Sequence, residues 1–379
     1  MKKFLFLALG ALCGSTLAAK EPPRLLMPDE IISVQGIETN VYFANVFKTV
    51  NPDNYFFQVS CPKGKLMKKF WTVTPEKKDI GTYSWKLTVF DDNGKVAEKT
   101  VKLKILPQKK IPENLSILMI GDSWTDQSYY VHRLKKLAPA LKMIGSNGGL
   151  GKDPAKTGIA HEGYGGWTWG RFALERKPVP PGTMPYRTNK FLVEKNGRWS
   201  HDFDAYFAKY SNGKKPDFVT IGLGPNDIYA LTDENIDNAL IRIGKSMDKL
   251  IGEIRKSVPD AFIGITLFTV TAGQDAWGKA YGCRSNSYQF KKNLWKLNQF
   301  YMDKISKMSK TDKKISIIPM SYAVDPENGY PVTLQAANIH SKKKISRQSN
   351  ALHPSAEGYA QAGDVYYCWL LNCLSQENK

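Results

Sequence analysis

Four short apolar runs, Leu115 to Ile120, Phe218 to Leu223, Phe262 to Phe268 and Ile315 to Ile318, constrain this chain more than any other feature. They are rich in β-branched residues and alternate little with polar ones, which is the pattern of parallel strands buried on both faces. Parallel strands need crossover connections, and the intervening sequence supplies them. Asp233 to Val258 places Ile236, Leu240, Ile243, Met247, Leu250, Ile251 and Ile254 at helical spacing with charges opposite. Asn286 to Met308 and Ser355 to Leu371 also read as helices. Residues 115–376 are therefore expected to form an α/β domain whose mainly parallel sheet is covered on both sides.

The chain before this region has a different period. Ile31 to Val34, Val41 to Phe43, Tyr55 to Val59, Trp71 to Val73 and Tyr83 to Phe90 are short alternating runs. A hairpin signal at Asn93-Gly94 then leads into Val96 to Leu106. Strands of this length predict a small β-sandwich of immunoglobulin-like type over residues 21–107, with the role of a spacer. Residues 108–114 read as a linker. Residues 1–19, with Lys2 and Lys3 before an apolar stretch and Ala18-Ala19 at its end, read as a signal peptide. Cys13 lacks the residues that precede a lipoprotein cysteine. An exported, periplasmic or extracellular location without a lipid anchor is expected.

Composition excludes several classes. The 379 residues are 42% hydrophobic, 12% aromatic and 23% charged, enough apolar surface for a sizeable core and unlike a disordered chain. Lys and Arg number 54 against 35 Asp and Glu, a formal charge of +19. The lysines are scattered and no zinc-finger, helix-turn-helix or RNA-binding signature is present, so a solvated surface is the simpler reading than a nucleic-acid groove. An acidic polysaccharide is the sharper alternative. No later apolar run reaches the length of a membrane span. The spacing of histidines and cysteines fits no metal site, and no cofactor is indicated. An exported chain permits disulfides. A bridge within the C-terminal part, among Cys283, Cys368 and Cys373, is favoured, with Cys61 left as a buried thiol.

Four loop motifs stand at expected strand ends or strand-to-helix turns, where open α/β sheets gather their ligands. Gly121-Asp122-Ser123-Trp124 can present a serine hydroxyl at a helix start. Gly163-Tyr164-Gly165-Gly166-Trp167-Thr168-Trp169 is a turn whose backbone N–H groups can approach a reacting atom. Gly224-Pro225-Asn226-Asp227 offers a side-chain amide donor, and Asn350-Ala351-Leu352-His353-Pro354-Ser355 places a histidine at the entrance to the last helix. Each alone is ordinary turn chemistry. The run Gly145 to Asp153 fails the spacing of a phosphate loop and reads as a flexible loop.

Together and in this order, the four motifs resemble the SGNH (GDSL) hydrolase family of esterases and acylhydrolases, and its secreted carbohydrate-esterase members in particular. The resemblance covers Leu115 to about Leu374. It implies a three-layer, flavodoxin-like catalytic domain, with Ser123 as nucleophile and His353 as general base. The N–H groups of Ser123 and Gly166 and the side chain of Asn226 would form the oxyanion hole. One position departs from the family: its aspartate three residues before the histidine is Asn350 here. The favoured reading is a Ser-His dyad oriented by Asn350 or a backbone carbonyl, with Asp325 and Asp364 as alternative carboxylates. Trp124, Tyr164, Trp167 and Asp227 are candidates for contact with substrate, although Asp122 and Asp227 also suit a turn-holding role. The loop from Lys177 to Trp199 is expected to shape the cleft, and Lys342 to Lys344 with Arg347 to form a cationic rim. The expected activity is removal of O-acyl groups, with O-acetyl the favoured case, from an oligo- or polysaccharide. The alternatives are a lipase- or phospholipase-like acylhydrolase and a non-catalytic glycan-binding protein in which Asn350 marks decay.

Overall fold

A computed structural model of the chain describes residues 25–269 and 271–377. The expected signal peptide lies outside the described residues. Six parallel strands form the central sheet. Lys142–Ile144 and Glu162–Gly163 pair one after the other with the same side of Ser116–Gly121, followed by Phe218–Gly222, Phe262–Thr266 and Ile315–Ile318. Every residue of Ser116–Gly121, Phe218–Gly222 and Phe262–Thr266 is buried, so both faces of these strands are covered, as their unbroken apolar character requires. Helices Tyr129–Leu137 and Ala356–Glu377 pack on each other, and Gly363 meets Arg133 where they touch. Helices Ile236–Ser257 and Ser287–Met308 begin and end within three residues of the sequence expectation.

Register decides where the site lies. Gly163 and Gly222 both pair with Gly121, so three glycines form one row at the carboxyl edge of three neighbouring strands. The loop after each glycine carries one of the sequence motifs. A Cβ on Gly121 would stand 1.9 Å from Thr125 Oγ1, so only glycine fits under the turn that follows.

Residues 25–106 form two further sheets. Glu30–Val34, Gly94–Leu106, Gly81–Asp91 and Phe56–Ser60 make one, and Thr39–Tyr42, Phe70–Val73 and Lys65–Leu66 the other. Ile31, Val41, Phe57, Trp71, Trp85 and Leu103 from both sheets share one core. The hairpin turn falls at Asp92-Asn93, where Asp91 pairs with Gly94. Phe43–Val46 is a short helix, not the end of a strand. These sheets touch the α/β region directly. Tyr322 and Ala323 from the α/β region enter the N-terminal core, and the buried Asn45 amide donates to Thr269 Oγ1 (3.2 Å) and to the Val324 carbonyl (2.8 Å). Within the expected linker, Ile111 is buried in the main core. The cysteine expectation is corrected: no disulfide joins Cys61, Cys283, Cys368 and Cys373, and Cys61 is only partly buried. Among the described residues, no helix is long and apolar enough to cross a membrane.

Candidate active site

Ser123 opens the four-residue helix Ser123–Asp126 directly beyond the first sheet strand. Asp122 caps that helix: its Oδ1 accepts the Trp124 N–H at 3.0 Å. The Asp122 N–H donates to the Gly222 carbonyl at 3.2 Å, which ties the turn to the neighbouring strand. The serine is thereby held at the sheet edge with its hydroxyl free to face the last loop. There, His353 Nε2 lies 2.8 Å from Ser123 Oγ. Burial lowers the His353 pKa from its ordinary 6.5, so the imidazole is neutral at pH 7 and can accept the serine proton. The His353 loop is tied back to the serine helix by the Trp124 Nε1–H, which donates to the Leu352 carbonyl at 3.1 Å.

The glycine turn reaches the same place. Tyr164 N–H donates to the Gly121 carbonyl (3.0 Å) and Trp167 N–H to the Tyr164 carbonyl (3.1 Å), closing a four-residue turn. Gly166 occupies its third position with φ +77°, a conformation that favours glycine. Asn226 joins the three loops. Its Nδ2 donates to the Trp167 carbonyl at 3.1 Å and to Asp122 Oδ2 at 3.3 Å. Among the described residues, neither the Ser123 N–H nor the Gly166 N–H has an acceptor within the protein. Beside Ser123 and His353 is a cavity of about 30 Å³, walled by Phe268, Thr269, Phe290, Tyr330 and Leu352.

Two carboxyl groups behind the site are strained electrostatically. Burial, opposed by the Trp124 N–H and reinforced by the charge of Asp227, pushes the Asp122 pKa up to about 7. Burial raises that of Asp227 to about 7 as well, against the Trp169 N–H that its Oδ2 accepts at 3.2 Å.

The structure brings Ser123, His353, Gly166 and Asn226 together and corrects other expectations. Asn350 does not hold the imidazole. Its Oδ1 accepts the N–H groups of Leu352 (3.1 Å) and His353 (3.0 Å), and so fixes the loop backbone. Asp325 caps its own loop, and Asp364 pairs with Arg133 at 2.7 Å; neither meets the ring. Tyr164 is fully buried with its hydroxyl on the Glu162 carboxylate, and Trp167 is 3% exposed against Tyr164 and Phe172. These rings are core, because a position beside a motif says nothing about which way a ring points. Trp124 lines the cavity but is largely buried, and Asp227 holds the helix Trp169–Ala173 in place. Arg347 of the expected cationic rim is paired with Asp275 at 3.3 Å. The run Gly145 to Asp153 is pinned instead of flexible: the buried Asn147 donates to Asp126 Oδ1 (2.9 Å) and to the Gly163 carbonyl (2.8 Å). Asp126 and Arg187, which converge on the glycine turn, carried no sequence signal.

An α/β fold with a serine-histidine pair and amide donors at the carboxyl edge of its sheet defines an acyl-transfer hydrolase scaffold. Residues 117–365 match the family model described as GDSL-like lipase/acylhydrolase, a span that includes Ser123, Gly166, Asn226 and His353. The chain belongs to this family of SGNH hydrolases, which are esterases and acylhydrolases. Comparison with solved structures finds a family 3 carbohydrate esterase from Talaromyces cellulolyticus at 15% identity and a TM-score of 0.38, covering 69% of this chain and 99% of that one. A family 3 carbohydrate esterase from Clostridium thermocellum matches at 15% identity and a TM-score of 0.40, covering 69% and 98%. A carbohydrate acetylesterase from Sinorhizobium meliloti matches at 15% and 0.37, covering 68% and 99%. No curated protein matches the chain.

Proposed function

We propose that the protein is an exported serine esterase that removes a short acyl group, acetyl, from a carbohydrate. The observation that carries the esterase reading is the 2.8 Å contact between Ser123 Oγ and His353 Nε2 at the row of amide donors. Ser123 Oγ attacks the acyl carbonyl as its proton passes to His353 Nε2. The tetrahedral oxyanion is met by the N–H groups of Ser123 and Gly166 and by Asn226 Nδ2, which gives up its longer bond, the 3.3 Å contact with Asp122. The imidazolium then protonates the departing sugar oxygen, which leaves as the hydroxyl. Water, deprotonated by the same imidazole, releases the carboxylic acid and restores the serine. Among the described residues no carboxylate touches His353, so the pair acts as a dyad.

The cavity beside the nucleophile supports a small acyl group. It is small, about 30 Å³, which favours a short acyl group over the long chain of the lipase alternative. The assembled Ser-His contact weighs against a decayed site. The carbohydrate half of the reading rests on the resemblance of the motifs to carbohydrate-active members, and export rests on the leader-like residues 1–19. We assign the two N-terminal sheets to an immunoglobulin-like sandwich, supported by their shared core, that braces Thr269 and the Val324 backbone through Asn45. The test is hydrolysis of a chromogenic acetate ester, then of acetylated glycans, by the wild type and by Ser123→Ala. Turnover lost in the variant supports the reading; turnover retained in it, or absent on every ester including acetylated glycans, refutes it.

A further inference from the structure

We infer that Arg187 is a positioning residue of the oxyanion hole, aiming and polarising the Gly166 N–H through the carbonyl of the preceding residue. The inference rests on the roles proposed above for Ser123 and Gly166. The turn Tyr164 to Trp167 has Gly165-Gly166 as its central peptide, the unit whose rotation interconverts β-turn types. Two glycines offer little steric resistance to that rotation. Something else must hold the plane, and the structure shows what does.

The carbonyl oxygen of Gly165 accepts Arg187 Nη1 at 3.2 Å, and the Gly165 N–H donates to Asp126 Oδ2 at 2.9 Å. The same Asp126 oxygen accepts Arg187 Nη2 at 3.2 Å and the Tyr186 hydroxyl at 3.2 Å, while Arg187 Nε donates to Tyr186 at 3.1 Å. Asp126 is 1% exposed and the Arg187 side chain 17%, so the pair is shielded from solvent screening. In a trans peptide the C=O of one residue and the N–H of the next point in opposite directions. A guanidinium on the Gly165 oxygen therefore fixes where the Gly166 N–H points. It also draws electron density along the amide and strengthens that N–H as a donor. Asp126 closes the helix that Ser123 opens. The bracket thus ties nucleophile and donor together, and its arginine comes from the long loop after helix Trp169–Ala173.

The test measures ester hydrolysis and inhibition by a small alkylboronic acid, whose tetrahedral serine adduct carries the oxyanion. Arg187→Met is expected to lower kcat about 10- to 100-fold with KM within about twofold, because a weakened donor loses less than a deleted one. The boronate inhibition constant rises in parallel, and Arg187→Lys, a point charge without the fork, falls between. Gly165→Ala supplies a second route. Its Cβ would lie 2.7 Å from Arg187 Nη2 and 3.0 Å from Cζ, displacing the guanidinium by moving only the end of a flexible side chain. It is expected to reproduce the kcat loss in a protein that still folds, and it decides the matter if Arg187→Met does not fold. Unchanged kcat in either variant, or a kcat loss without loss of boronate affinity, overturns the inference. A wild type without Ser123-dependent turnover overturns the esterase reading, and this inference with it.

Discussion

Replacing Asn350 separates a loop-holding side chain from a catalytic one. Its Oδ1 accepts two backbone N–H groups, those of Leu352 and His353, in a half-buried loop. Each such bond contributes about 1 kcal/mol net, so Asn350→Ala costs about 2 kcal/mol. For a chain of this length that lowers the unfolding temperature by about 2–3 °C. The loosened loop lets His353 drift from Ser123, and a displacement well under 1 Å costs about tenfold in kcat. His353→Ala, by contrast, removes the base and costs about 10⁴-fold or more. Asn350→Asp keeps an accepting oxygen for both N–H groups and adds a charge, so loop and unfolding temperature are kept and kcat stays within about threefold. Thermal unfolding and chromogenic acetate hydrolysis on the three variants provide the check. An Asn350→Ala loss equal to that of His353→Ala at unchanged stability would refute the reasoning, as would a large rate gain in Asn350→Asp.

Asn226→Ala deletes one donor and is expected to lower kcat about 100- to 1,000-fold; steady-state kinetics with KM unaltered confirms it. Because burial lowers the His353 pKa and the base must be neutral, kcat/KM falls on the acid side with an inflection below 6.5, and a pH–rate profile inflecting above 6.5 contradicts this. Asp227 has a folded pKa of about 7, above its unfolded 3.8, so the stability linked to its neutral form is full below pH 3.8 and lost as pH rises through 7. Asp227→Asn, which keeps an acceptor for Trp169, is therefore expected to raise the unfolding temperature at pH 8 and to leave it near wild type at pH 4.

The strands that build the catalytic sheet were legible because burial on both faces leaves unbroken apolar runs, as in Phe218–Gly222 and Phe262–Thr266. The motifs at Ser123 and Asn226 were legible because each follows such a strand, and the other two by their glycines and histidine in the order of the family. Lys142–Ile144 and Glu162–Gly163 were not, since three and two residues carry no period. The hairpin of Leu192–Lys195 and Arg198–His201 had its signal in Asn196-Gly197, both at positive φ, inside a loop that proline made look irregular. Asp126 and Arg187 stand 61 positions apart and meet only through the fold. Asn350 shows a subtler limit: sequence placed it three residues before the histidine, but only geometry reveals that its oxygen faces backbone amides.

The measurement that bears most directly on a serine esterase centred on Ser123 is covalent labelling with a fluorophosphonate, located by peptide mass spectrometry. The account predicts one adduct, on Ser123, formed by the wild type and abolished in His353→Ala, with acetate hydrolysis lost in step with labelling. A folded wild type that remains unlabelled, or one labelled at another residue while hydrolysis continues, would contradict it.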